Sequence, residues 1–154
     1  MKSTKVKKMR LKFIFVLFWM ILISVSVSAQ SSVEVILAGH NHVPPVRTPG
    51  TGMMEVSVEG DSLFVSGSFE DLRDYYQGAS IHFGRANESG NQIYRLTAEL
   101  NEEKNGGKFS AEDNRFELRD AQKEALRNGR MYINIRSNQN RNGEIRGQIP
   151  QMRF

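Results

Sequence analysis

Met131-Tyr132-Ile133-Asn134-Ile135-Arg136 and Glu144-Ile145-Arg146-Gly147-Gln148-Ile149 are joined across Asn142-Gly143, and how these two runs pair decides the fold. Both alternate apolar and polar residues with period two, the mark of half-buried strands, and Asn-Gly is a strong hairpin turn signal. One register satisfies both faces. With Arg136 opposite Glu144, Asn134 faces Arg146 and Tyr132 faces Gln148 on one surface, while Ile135 meets Ile145 and Met131 meets Ile149 on the other. A slip of one residue would turn Ile133 and Ile135 outward. Gly147 then lies opposite Ile133 on the apolar side, where the missing side chain leaves room for a bulky neighbour or relieves sheet twist.

The same grammar continues upstream. Val33, Val35 and Leu37 alternate with Glu34 and Ile36 in a strand ending at Ala38-Gly39. His40 to Gly52, carrying Pro44-Pro45 and Pro49-Gly50, reads as a long connection because proline offers no ladder N–H. Met54, Val56 and Val58 share a face, Gly60-Asp61 turns the chain, and Leu63, Phe64 and Val65 return. Ile81 and Phe83 flank His82, and Tyr94, Leu96, Ala98 and Leu100 alternate with Ile93, Arg95, Thr97 and Glu99 as one long strand. Phe109, Phe116 and Leu118 mark one or two more. The single helical segment is Asp120 to Gly129, with Asp120 as its cap and Asn128-Gly129 as its stop. The expected architecture is all-β: an antiparallel, immunoglobulin-like β-sandwich or barrel with one short helix.

Six basic residues between Lys2 and Lys12 precede an apolar run, Phe13 to Ile23, and small residues at Val27-Ser28-Ala29. This is the layout of a secretory signal peptide cleaved after Ala29, with an apolar stretch too short to span a bilayer comfortably. Residues 1–29 form the leader and 30–154 a single β domain. Removing the leader takes 6 of the 21 basic residues and none of the 17 acidic ones, so the formal +4 becomes 15 against 17, or −2. The basic character belongs to the export signal, and no nucleic-acid partner follows from it. Without cysteine there is no disulfide, thiolate metal site or lipid-bearing thiol, so a domain of about 125 residues must be held by its core alone. The localisation expected is periplasmic or extracellular, with no membrane span retained.

Leu37-Ala38-Gly39, Val43-Pro44-Pro45-Val46 with Thr48-Pro49-Gly50, the Ile81-His82-Phe83-Gly84 strand, and above all Gly129 to Ile135 running into Asn142 to Ile149 together resemble the CHRD (chordin) domain. The likeness spans essentially the whole mature chain. It implies an immunoglobulin-like β-sandwich or barrel module without enzymatic activity, of the kind found in animal antagonists of secreted growth factors and in short exported bacterial proteins. A solitary domain behind this leader matches the bacterial type. Two positions depart from the common pattern: Ser80 stands where His-x-His would begin, and His42 where an acidic residue often precedes Val-Pro-Pro.

Two constellations can carry binding chemistry. His40 and His42, two apart in extended backbone, would project to one side, and with His82 from another strand could hold zinc or copper. The plainer alternative leaves the first two solvated and has His82 bonding a backbone carbonyl. Asn134, Arg136, Glu144 and Arg146 form a polar stripe whose guanidinium groups could receive carboxylates or sulfated sugars, or else merely pair across a solvated sheet face. Glu70, Asp71 and Asp74 beside Tyr75-Tyr76 make an acidic, aromatic loop, but no Gly-x-Ser-x-Gly elbow, metalloprotease motif or phosphate loop accompanies it. The expected function is therefore an exported, non-catalytic β module, without cofactor, that binds a protein or glycan outside the cytoplasm. The alternative is a small periplasmic metal-binding protein.

Overall fold

The computed structural model describes residues 31–154; the expected leader, residues 1–29, and its cleavage after Ala29 lie outside them. The strands are β1 (Ser31–Ala38), β2 (Thr51–Glu59), β3 (Ser62–Glu70), β4 (Tyr76–Phe83), β5 (Gln92–Leu96), β6 (Glu99–Leu100), β7 (Gly107–Phe109), β8 (Arg115–Glu117), β9 (Met131–Ser137) and β10 (Ile145–Ile149), and the helix α1 is Asp120–Arg127. All strands belong to one sheet in the order β5-β4-β9-β10-β1-β2-β3-β7-β6, with β8 also on β3. The sheet is antiparallel and curls into a half-barrel.

The β9–β10 register is the one that alternation and charge require: Ile135 opposes Ile145, Asn134 opposes Arg146, Gly147 opposes Ile133, Gln148 opposes Tyr132 and Met131 opposes Ile149. Their apolar members face inward and join Val35, Leu37, Met54, Val56, Leu63, Val65, Ile81 and Leu126 in one buried cluster. Gly147 is part of that inner face. A Cβ there would stand 2.6 Å from Val35 Cγ1 and 2.7 Å from both Leu37 Cδ2 and the Ile36 carbonyl, so the glycine makes room for the β1 side chains crossing beneath it.

Two expectations need correction. The run from Ile93 to Leu100 is not one strand: β5 pairs with β4, whereas β6 pairs with β7 at the far end of the sheet order. Only Thr97 and Ala98 lie between them, so the chain itself joins the two margins of the curled sheet. The buried Asn114 carboxamide takes over both backbone groups of Thr97, accepting its N–H at 2.8 Å and donating to its carbonyl at 2.9 Å. Period-two patterning reports which side a residue faces and is silent about which neighbour its backbone bonds. Tyr94 adds to this seam by donating its hydroxyl to the Glu117 carbonyl at 2.7 Å and stacking on Phe116 at 4.5 Å.

The second correction concerns α1. Its N-cap is Arg119, whose N–H donates to the Gln122 side chain at 2.8 Å, and Asp120 is the first helical residue. An acid there still favours the positive end of the helix dipole. The stop is as expected, with the Asn128 N–H on Glu124 and Gly129 at φ +60°.

Candidate functional site

The polar residues of β9 and β10 lie together on the outer face, but that face is roofed by loops. Asn134 is 5% exposed, Glu144 0% and Arg146 2%, so the predicted stripe is an interior layer rather than a solvated one. Burial changes what each group must do, since a buried polar atom without a partner is costly.

The β9–β10 ladder begins at Ile145 opposite Ile135, the Glu144 N–H donates to the Ile135 carbonyl at 2.7 Å, and Glu144 and Arg136 do not form the expected ion pair. The Glu144 carboxylate accepts from the Thr48 hydroxyl, from the Arg73 N–H at 2.7 Å and from the Asn140 carboxamide at 3.2 Å. Three connections thereby meet on one carboxylate: the proline-rich segment after β1, the β3–β4 turn and the β9–β10 hairpin. Neutral donors arriving from the roof displace the cross-strand cation. Arg136 instead lies over Gly78, where an added Cβ would fall 2.8 Å from Nη2, and its Nε is sealed without a partner.

Arg146 lies over Tyr132, its guanidinium carbon 3.5 Å from the ring centre. Nη2 donates to the carbonyls of Arg85 and Glu88 at 2.7 and 2.8 Å, pinning the loop between β4 and β5. Gln148 holds the base of the same loop, its amide nitrogen lying 3.0 Å from the Gly84 carbonyl and 2.9 Å from those of Gly129 and Met131. Among the described residues, the ion pairs are Arg85–Glu88, Lys123–Asp61 and Lys123–Asp120; Arg146 has no carboxylate partner. Burial draws its pKa below the usual guanidinium value, and Coulombic interaction with Tyr132 acts against that.

His40 and Asn41 belong to a 3-10 turn, Gly39–Asn41, so the extended backbone expected to carry His40 and His42 is absent. His42 Nδ1 lies 2.9 Å from the Pro44 carbonyl and Nε2 3.4 Å from that of Asn142. His82 stacks on Tyr132 at 5.1 Å, with Nε2 2.8 Å from Ser80 Oγ and Nδ1 2.9 Å from the Gly90 carbonyl. Its pKa is lowered, chiefly by burial, with Arg136 and Arg146 adding repulsion against the bond to Gly90. Among the described residues no three His, Cys, Asp or Glu side chains gather to hold a metal ion, and the zinc or copper reading has no support. In the acidic loop, the Asp74 carboxylate accepts from the Tyr75 N–H at 2.7 Å and from Asn138 at 3.1 Å. Tyr76 is packed on Phe69 at 5.2 Å, its pKa pushed up to about 12, mainly by burial.

Beside this layer a groove of about 460 Å³ opens to solvent between the loop after β1 and the loop after β4. Ile36, Arg146 and Gln148 form its floor, His40, His42 and Pro45 one wall, and Ala86 and Asn87 the other; none of its lining residues is acidic. The chemistry on offer is hydrogen-bond donation and positive charge beside an aliphatic surface. Sequence patterning points to Arg146 as a binding cation but not as the clamp of the loop after β4, and it misses Thr48, Tyr132 and Gln148 as structural partners. Tyr132 and Gln148 sit on the same face as Arg146 in the pairing register, which was the available signal; Thr48 lies nearly a hundred residues away in the chain, with none.

The chain matches the family model described as the CHRD domain over residues 33–149. No curated protein and no solved structure matches it. The matched span runs from β1 to the last residue of β10 and contains the half-barrel, the roofed polar layer and the groove: the chain belongs to the CHRD domain family.

Proposed function

We propose that this protein is an exported, non-catalytic binding module that recognises a protein or glycan outside the cytoplasm. Family membership is the observation that carries the reading, because CHRD domains are generally extracellular. The leader-like residues 1–29 agree with it. So does the disposition of the polar side chains: those of β9 and β10 are engaged in tying loops to the sheet, and the groove beside them offers hydrogen-bond donors and positive charge to a ligand. The immunoglobulin-like cast of the half-barrel belongs to the same proposal and rests on the CHRD resemblance.

The test uses the full chain expressed in a bacterium with an exporting envelope. The expected product begins at Gln30, is recovered outside the cytoplasm, and forms saturable cross-links to an envelope protein or binds selectively on a glycan array. Retention in the cytoplasm with the N-terminus intact, or export without saturable binding to either class, would overturn the reading.

A further inference from the structure

We propose that the groove over β10 and β1 receives the C-terminus of a peptide, its carboxylate on Arg146 and its last, apolar side chain on Ile36 and Met53. The inference rests on the binding-module reading and narrows the partner to a protein end.

The charge argument begins with Arg146. A guanidinium has five N–H donors, and both hydrogens of Nη2 are taken by the Arg85 and Glu88 carbonyls. Nε and Nη1 make no hydrogen bond among the described residues. Neither is among the sealed, unpartnered atoms, which are Asn134 Oδ1, Arg136 Nε and Gln148 Oε1. Arg146 lines the groove, so its unspent donors reach the cavity. A cation that is only 2% exposed and lacks a carboxylate is under-compensated, and an anion entering from the groove would make charge-assisted bonds to it at little further desolvation cost. His40 and Asn87 on the walls present further donors, and no acidic side chain opposes the charge.

The apolar argument comes from the neighbouring strands. Arg146 is the cross-strand partner of Ala38, which places Ile36 diagonally on the same face, about 7–8 Å away. Ile36 is 64% exposed and its partner on β2, Met53, is 53% exposed; they are the two most exposed large aliphatic side chains in the described residues. A ligand laid from Arg146 toward β2 meets charge first and aliphatic surface second, which is the order of groups at the end of a peptide with an apolar last residue. A sugar acid would satisfy the donors, but sugars favour flat aromatic platforms, and the face of Tyr132 is already covered by Arg146.

The probe is a fluorescein-labelled Gly-Gly-Ala-Leu peptide with a free carboxylate, titrated with the exported full-chain product and compared with its C-terminal amide and with a galacturonate trimer. The acid is expected to bind at least tenfold more tightly than the amide. Ala86→Glu, which puts a carboxylate on the groove wall beside Arg146, is expected to weaken the acid at least tenfold with a thermal midpoint no lower than that of the wild type. Ile36→Ser is expected to remove the preference for Leu over Gly at the last position. Equal binding of acid and amide, or no effect of Ala86→Glu on a well-folded variant, overturns the inference. Binding of the galacturonate alone overturns it and leaves the module reading standing. Binding of neither probe also overturns it, and the module reading is then judged by its cross-linking test.

Discussion

Asn114 and Thr97 are joined by a two-way hydrogen bond at the point where the chain leaves one margin of the sheet for the other: the Thr97 N–H reaches Oδ1 at 2.8 Å and Nδ2 reaches the Thr97 carbonyl at 2.9 Å. Asn114 also receives the Val65 N–H on its own carbonyl at 3.1 Å, and its Nδ2 donates to the Ser110 carbonyl at 2.9 Å. One residue, through its carboxamide on Thr97 and its main-chain carbonyl on Val65, thereby substitutes for a strand in the seam between β3 and the β5–β6 junction.

Replacing it should be costly because the fully buried carboxamide makes three bonds to the backbone of Thr97 and Ser110, and all three are lost together. Asn114→Ala is expected to lower the unfolding free energy by about 3 kcal/mol, several times the effect of an exposed substitution. Urea denaturation measures the total, and hydrogen exchange should show the Thr97 amide among those losing most protection. A loss below about 0.5 kcal/mol would mean that the seam is held elsewhere.

Glu144 gathers three separate connections on one fully buried carboxylate. Glu144→Ala should destabilise by about 3 kcal/mol, since the Thr48 hydroxyl and Arg73 N–H lose their acceptor in a dry environment. Glu144→Gln, which keeps one acceptor oxygen, should cost less. The expected order, wild type above Gln above Ala, is read from denaturation midpoints, and faster exchange at the Arg73 amide in both variants would accompany it.

Gly147 and Val35 compete for one volume. Gly147→Ala drives a methyl into Val35 Cγ1 and the Ile36 carbonyl and is expected to cost about 1–3 kcal/mol by overpacking. Val35→Ala alone opens a cavity and costs about 2 kcal/mol. The double variant should be more stable than the sum of the two losses predicts, because each change relieves the other. Strict additivity would show that the clash is taken up by the backbone instead.

His82 supplies the pH dependence. Burial lowers its pKa in the folded protein, so the unfolded chain takes up the proton first. Its contribution is fully present above the ordinary histidine value of about 6.5 and is lost as pH falls through the lower folded value. Wild-type stability should therefore drop between pH 7.5 and 5 more steeply than that of His82→Phe, which keeps the stack on Tyr132 but cannot titrate. Parallel urea titrations at the two pH values test this, and equal slopes would remove His82 as the source.

The strands β1, β2, β3, β9 and β10, and the side each residue presents, were determined by sequence alone, because alternation with period two and Asn-Gly or Gly-Asp turns act over a few residues and need no knowledge of the rest of the chain. Gly147 is the sharpest instance: its place opposite Ile133 on the inner face follows from register. Tertiary structure decided what lies above the outer face and which margin each strand joins. Ile93 to Leu100 looks like one strand because its faces alternate, yet its backbone changes partners at Thr97 under the hold of Asn114. Arg136 and Glu144 look like a surface ion pair when the alternation of the two strands is extended to them, yet Glu144 is fully buried under loops from distant parts of the chain, and Thr48, Arg73 and Asn140 take the carboxylate. Arg146 was legible as a binding residue and not as the clamp of the loop it holds. Hydrogen bonds between groups far apart in sequence leave no periodic trace, so these contacts exist only once the half-barrel has brought the loops together.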